Sequence, residues 1–222
     1  MKLNIKKIGS TVLGQSIDCW FSSSEPSKLK VLVVGGVHGD ESEGIEIANG
    51  LIKLLLSAHS LNASIAIIPC LNVDGRTIGL RSNYNDVDLN RNIPTHNWVS
   101  TFTNPRYKPG TYAGSEPETK AFMNVLEEFK PDLIISLHSF SDSLILYGSP
   151  SEKFTPRVEA LAEGLSLKVV EKMSYEITGS LNTLSNEMKI PAITIEAPRD
   201  ESWKDKRDLF IQATGQFLME LE

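Results

Sequence analysis

His38 and Glu41 stand three residues apart in Gly36-Val-His-Gly-Asp-Glu41, where an apolar run breaks into a turn. His138 follows a second apolar run, Leu133-Ile-Ile-Ser-Leu137, and Glu196 follows a third, Ala192-Ile-Thr-Ile195. Two imidazoles and a carboxylate, all at strand ends, are the ligand set of a catalytic zinc site with an open fourth position. Zinc in such a site lowers the pKa of its water and polarises a carbonyl. HxxE alone is a weak motif, and Asp40-Glu41 equally suits the start of a helix, where acidic charge answers the macrodipole. His138 is what makes the pair a three-ligand set. Glu196 is the candidate general base, its competing reading being an ion pair with Arg199. Arg81 and Arg91 flank an acidic loop as candidate oxyanion and carboxylate holders, against ion pairing with Asp86 or Asp88.

The elements that must carry these groups follow from periodicity. Residues 3–21 alternate weakly and predict one or two short antiparallel strands, followed by a polar turn at Ser22–Ser27. Val31–Val37 and Ser64–Cys70 read as buried strands, with a helix over Ser42–Ala58 between them. From Asn72 to Gly114 the chain is rich in Asn, Asp, Gly, Arg and Pro, which reads as a long functional loop. Ser115 and Glu118 have capping-box spacing ahead of a helix running to Phe129. Strands follow at Leu133–Leu137, Ser143–Tyr147, Lys168–Glu171 and Ala192–Glu196. The last helices are read at Pro156–Leu165, closed by Gly164, at Leu181–Met188 and at Asp205–Leu221. Alternating strands and helices imply an α/β class: a single domain over residues 1–222 with a mixed, mostly parallel twisted sheet flanked by helices. His38, His138 and Glu196 then converge where such sheets place their ligand crevice, at the carboxyl ends of the strands.

The bulk numbers narrow the function classes. A chain of 222 residues with 41% hydrophobic and 23% charged residues is an ordinary globular composition. Net charge −6 without a Lys/Arg-rich run argues against a nucleic-acid partner. No apolar run reaches the ~18 residues of a membrane span, so no membrane partner is expected. Residues 1–9 carry charges with no apolar stretch behind them, so no signal peptide is read and a cytoplasmic location is expected. Cys19 and Cys70, far apart and outside any CxxC spacing, read as free buried thiols.

The order of these groups resembles the zinc carboxypeptidase (carboxypeptidase A-type) family. The resemblance rests on Gly36-Val-His-Gly-Asp-Glu41, Asn72-Val-Asp-Gly75, Val87-Asp-Leu-Asn-Arg91, Leu137-His-Ser139 and Thr194-Ile-Glu196, which span residues 31–198. The short length and Ser115-Glu-Pro-Glu-Thr119 look most like its bacterial murein peptide amidase A branch. The resemblance implies a zinc carboxypeptidase-like fold and one zinc ion per chain on His38, Glu41 and His138. Glu196 would activate the water. Arg81 would stabilise the oxyanion, with Arg76 a poorer match to that place. Asn90 and Arg91 would grip the terminal carboxylate of a short peptide substrate. Tyr175 would close over the substrate, and Asp88 would orient a zinc histidine. Phe140 departs from the His-Ser-Tyr phrase of many relatives, and Val73 replaces a usual proline. His59 and His96 match nothing; His59 reads as solvated and His96 as a pocket-loop residue within reach of substrate.

These features predict a zinc metallocarboxypeptidase, or amidase, that cleaves the amide before a carboxylate-bearing terminal residue. If the branch resemblance holds, that bond lies between γ-D-glutamate and meso-diaminopimelate in murein peptides. The rivals are an N-acyl amino-acid deacylase of the aspartoacylase/succinylglutamate desuccinylase type and a non-catalytic peptide-binding module.

Overall fold

Nearly every residue of strand β3 (Lys30–Gly35) is apolar, so both of its faces must be covered. Val31 and Val33 enter one core; Leu32 and Val34, pointing the other way, enter a second on the opposite face. The computed structural model describes residues 3–22, 29–58, 61–175 and 177–221. The turn read at Ser22–Ser27 lies, beyond Ser22, outside the described residues, as does His59.

Around β3 the sheet contains β1 (Leu3–Ser10), β2 (Ser16–Ser22), β4 (Ser64–Ile68), β5 (Leu133–Phe140), β6 (Leu144–Gly148), β7 (Lys168–Val170) and β8 (Ala192–Pro198). Their order is β1-β2-β4-β3-β5-β8-β6-β7. The central strands β4, β3, β5 and β8 are mutually parallel. Antiparallel neighbours flank them: the β1–β2 hairpin pairs with β4 through β2, and β6 pairs with β8. Strand β4 lies on one side of β3 and β5 on the other, so the connections diverge there and open a crevice above the carboxyl ends of β3 and β5.

The helices are α1 (Ser42–Ser57), α2 (Val73–Ile78), α3 (Pro117–Phe129), α4 (Thr155–Leu165), α5 (Leu181–Met188) and α6 (Trp203–Met219). Helix α1 buries Ile45, Ala48, Leu51, Ile52 and Leu55, the stripe its periodicity requires. With α4 and α6 it covers one face, while α3 and α5 cover the other. The single-domain mixed sheet flanked by helices matches the expected class.

Several local expectations need correction. The long loop contains α2, whose ends are fixed by the Asn72 side chain accepting from the Gly75 amide and by Gly79 at φ 71°. The Ser115–Glu118 capping box does not form. Ser115 Oγ instead donates to Glu116, and Glu118 accepts from Asn83 and the Val12 amide. Gly164 lies inside α4, which Ser166 ends in the left-handed region at φ 55°. Strands β5 and β8 run on to Phe140 and Pro198, so His138 and Glu196 lie within them, in register with one another.

Gly44, in the first turn of α1, lets the helix touch β5 directly. A Cβ added there would lie 2.3 Å from the carbonyl oxygen of Leu137, the residue before His138. Gly→Ala inside a helix ordinarily favours folding by roughly 1 kcal/mol. Here the clash reverses the sign: Gly44→Ala is expected to lower stability by about 1–3 kcal/mol in urea unfolding. A stabilised variant would show that this contact is not tight.

Candidate metal centre and substrate pocket

Glu41 occupies the N-cap position of α1 but makes no side-chain cap bond; its carboxylate turns instead to the two histidines. Its Oε1 lies 2.7 Å from His38 Nδ1 and its Oε2 2.8 Å from His138 Nδ1. The two Nδ1 atoms are 3.2 Å apart. One donor atom from each residue falls within 4.8 Å of the others, and all three residues are buried. The set fits a cation. If both rings donate from Nδ1 to Glu41, two N–H groups are crowded against each other. A single positive ion in place of those protons satisfies all three groups. His38 Nε2 lies 3.1 Å from Asp88 Oδ1, a contact that fixes the ring and turns Nδ1 toward the centre.

Charge balance is tight here. Burial works against a charged His38, yet Glu41 and Asp88 outweigh it and hold the pKa above its ordinary value. Burial works equally against the Glu41 carboxylate, but His38 and His138 keep its pKa well below the usual range. Arg81 joins the network, donating from Nε to Asp88 at 3.1 Å and from Nη1 to Glu41 at 3.0 Å. The ion pairing with Asp88 considered for Arg81 is therefore real, and its Nη2 group still has no partner among the described residues.

Glu196 lines the same pocket, half-buried, without a hydrogen-bond or ion-pair partner among the described residues. Burial raises its pKa above the usual carboxylate value. Its competing reading fails, because Arg199 donates to Asp40 instead, to Oδ2 at 2.8 Å and to the carbonyl at 3.0 Å.

Asn90 and Arg91 line the pocket from a single helical turn, Leu89–Arg91, which begins where Asp88 accepts from the Asn90 amide. Asn90 Oδ1 accepts from the Leu181 amide at 2.9 Å, which leaves the Asn90 amino group for the pocket. Arg91 forms no ion pair with a carboxylate among the described residues; Nη1 donates to the Asn90 carbonyl and the guanidinium lies 4.9 Å from the Tyr107 ring centre. Tyr175, 54% exposed, and Phe140 also line the pocket.

Two positions fall elsewhere. Arg76 is exposed on α2, whereas Arg81 lines the pocket. His96 is largely exposed and pairs with Glu187, outside the pocket lining. Sequence reasoning missed Arg106 and Tyr107 in the lining and did not anticipate the contact of Arg199 with Asp40. The only available signal for the first two was their place in the long polar loop.

A sheet parallel at its centre, with a His–Glu–His group above the divergence of its strands, defines a metallopeptidase, and the chain belongs to the zinc carboxypeptidase family. That family's model matches residues 2–211. The chain is accordingly a peptide hydrolase. Among curated proteins it is 30% identical to murein peptide amidase A of Escherichia coli K12, over 86% of this chain and 79% of that one. It is 31% identical to murein peptide amidase A of Vibrio campbellii, over 86% and 77%. The crystal structure of a murein-tripeptide amidase from Escherichia coli O157 superposes with TM-score 0.83 at 27% identity, covering 97% of this chain and 92% of that one. Bovine thrombin-activatable fibrinolysis inhibitor, 18% identical with TM-score 0.79 over 99% and 88%, shares the fold.

Proposed function

We propose that residues 1–222 form one catalytic domain. It hydrolyses the amide before a carboxylate-bearing terminal residue, with the γ-D-glutamyl–meso-diaminopimelate bond of murein peptides as its substrate. The observation that carries this reading is that the His–Glu–His group opens into the same pocket as Arg91, a guanidinium with no ion-paired carboxylate among the described residues. Similarity to the murein peptide amidases supports the choice of substrate.

In this reading His38, Glu41 and His138 would hold one zinc ion, which when bound would supply Lewis-acid polarisation of the scissile carbonyl. Glu196 takes a proton from the attacking water and passes it to the departing nitrogen as the carbon–nitrogen bond breaks. Burial raises its pKa above the ordinary carboxylate value, which makes it the better proton acceptor. The unpartnered Nη2 group of Arg81 stabilises the oxyanion. Arg91 receives the terminal carboxylate through two parallel bonds and the Asn90 amino group adds a third. Tyr175 closes the exposed side. We also place the enzyme in the cytoplasm. Both cysteines are free, as suits a reducing compartment, and no helix among the described residues is long and apolar enough to cross a membrane.

Metal analysis followed by mass-spectrometric product mapping on the diaminopimelate tripeptide tests the reading. Stoichiometric zinc and release of diaminopimelate are expected. Preferential cleavage of acyl-aspartate or acyl-glutamate would favour the deacylase instead, and peptide binding without hydrolysis would favour the binding module. Arg91→Gln is expected to raise KM for carboxylate-terminated peptides by roughly 10–100-fold, with a smaller change in kcat. Steady-state kinetics with an unchanged KM would remove Arg91 from carboxylate binding.

A further inference from the structure

Arg106 and Arg199 stand in the pocket wall and have no part in the chemistry above. Both reach Asp40, the residue between His38 and Glu41. Arg199 Nη2 donates to Asp40 Oδ2 at 2.8 Å, and Arg106 Nη2 lies 3.8 Å from the same oxygen. The other oxygen, Oδ1, is buried and accepts no hydrogen bond among the described residues. Two guanidiniums therefore share one carboxylate oxygen, which leaves a surplus positive charge facing the pocket at this corner. Neither arginine has another ion-pair partner among the described residues. These contacts are partly exposed and worth little as ion pairs; their bearing is positional, since Asp40 precedes Glu41 and Arg199 lies three residues beyond Glu196.

We propose that Arg106 and Arg199 bind a second carboxylate of the substrate, on the acyl side of the scissile amide. The enzyme thereby selects peptides with a carboxylate on each side of that bond. The inference rests on the functional reading above, which gives the leaving-side carboxylate to Asn90 and Arg91. A glutamyl residue linked through its γ-carboxyl carries its α-carboxylate four bonds from the reacting carbon, so one ligand can meet both arginine sites at once. A neutral acyl residue leaves the corner charge unanswered, and a charged pocket group without its counterpart discriminates more strongly than a missing apolar contact.

The test uses two peptides with the same leaving residue, one acylated by γ-linked glutamate and one by its α-carboxamide. Metal-loaded wild type is expected to prefer the carboxylate peptide by roughly tenfold or more in kcat/KM. Arg199→Gln should lose that factor on the carboxylate peptide and stay within about twofold on the carboxamide. Arg106→Gln should act in the same direction but more weakly, in keeping with its longer contact. A wild type indifferent to the two peptides, or an Arg199→Gln variant equally impaired on both, overturns the proposal. Calorimetry with non-cleavable ketomethylene analogues of both peptides separates the two readings. If neither peptide is cleaved, the functional reading fails, while the ratio of the two Kd values still decides this inference. A ratio near one overturns it, and a tenfold ratio abolished in Arg199→Gln upholds it.

Discussion

Glu196→Gln is expected to lower kcat by about 10²–10⁴-fold while zinc content and substrate Kd stay near wild type. Glutamine keeps the volume and a hydrogen-bonding tip at the pocket wall but cannot take a proton. The Glu196 side chain makes no hydrogen bond or ion pair among the described residues, so no direct structural contact depends on its charge. Its burial raises the pKa of a group left without a partner, an arrangement that disfavours a static charge and suits one that gains and loses a proton. The substitution should not destabilise the fold, so thermal unfolding should match wild type. Single-turnover kinetics read the chemical step directly. A variant retaining full activity would remove Glu196 as the base and leave the pocket without another unpaired carboxylate.

The second large effect is expected at His38. His38→Ala removes one of three converging donors, so the purified, refolded variant should carry far less than one zinc per chain and show background turnover. A structural cost accompanies it, because Glu41 and Asp88 both lean on this ring. Without His38 they remain buried, opposed by Arg81 and, for Glu41, by His138. Breaking a buried pair on one side costs about 3–5 kcal/mol, so the midpoint of denaturation should fall as well. Circular dichroism separates loss of metal from loss of fold. Stoichiometric zinc in a folded His38→Ala protein would take this histidine out of the ligand set.

Much of this architecture was legible because the central elements obey simple periods. The stripe Ile45, Ala48, Leu51, Ile52 and Leu55 marks α1, and the apolar runs mark β3, β5 and β8 as strands covered on both faces. Convergence of His38, His138 and Glu196 was legible from the carboxyl-terminal parts of these strands, although β5 and β8 run two residues past His138 and Glu196. What escaped was set by distant partners. Helix α2 buries only Asp74 and Gly75 and has no apolar stripe; its caps, Asn72 and Gly79, were its one local signal. The box at Ser115 and Glu118 lost to Asn92 and Asn83, whose side chains reach across the fold. Local capping yields when a tertiary contact satisfies the same atoms. His96 took Glu187 from α5, a pairing 91 residues away in sequence. Arg106 sits in a stretch with neither period nor motif, so only its charge marked it.

The segment that carries Arg81, Asn90 and Arg91 has almost no regular structure, yet amide side chains hold it fast. Asn83 donates to both Glu116 and Glu118 and accepts from the Val87 amide. Asn92 donates to the carbonyls of Pro109 and Tyr112 and accepts from the Glu116 amide. Asparagine here replaces the ladder a strand would provide. The conformational entropy of this wall is therefore lost when the chain folds, and a ligand docking on it gives up mainly its own freedom. The pocket is stiff on the arginine side, and the exposed Tyr175 stands on the side left to adapt. On the proposed function, selectivity for charge would then be built into the folded protein before any substrate arrives.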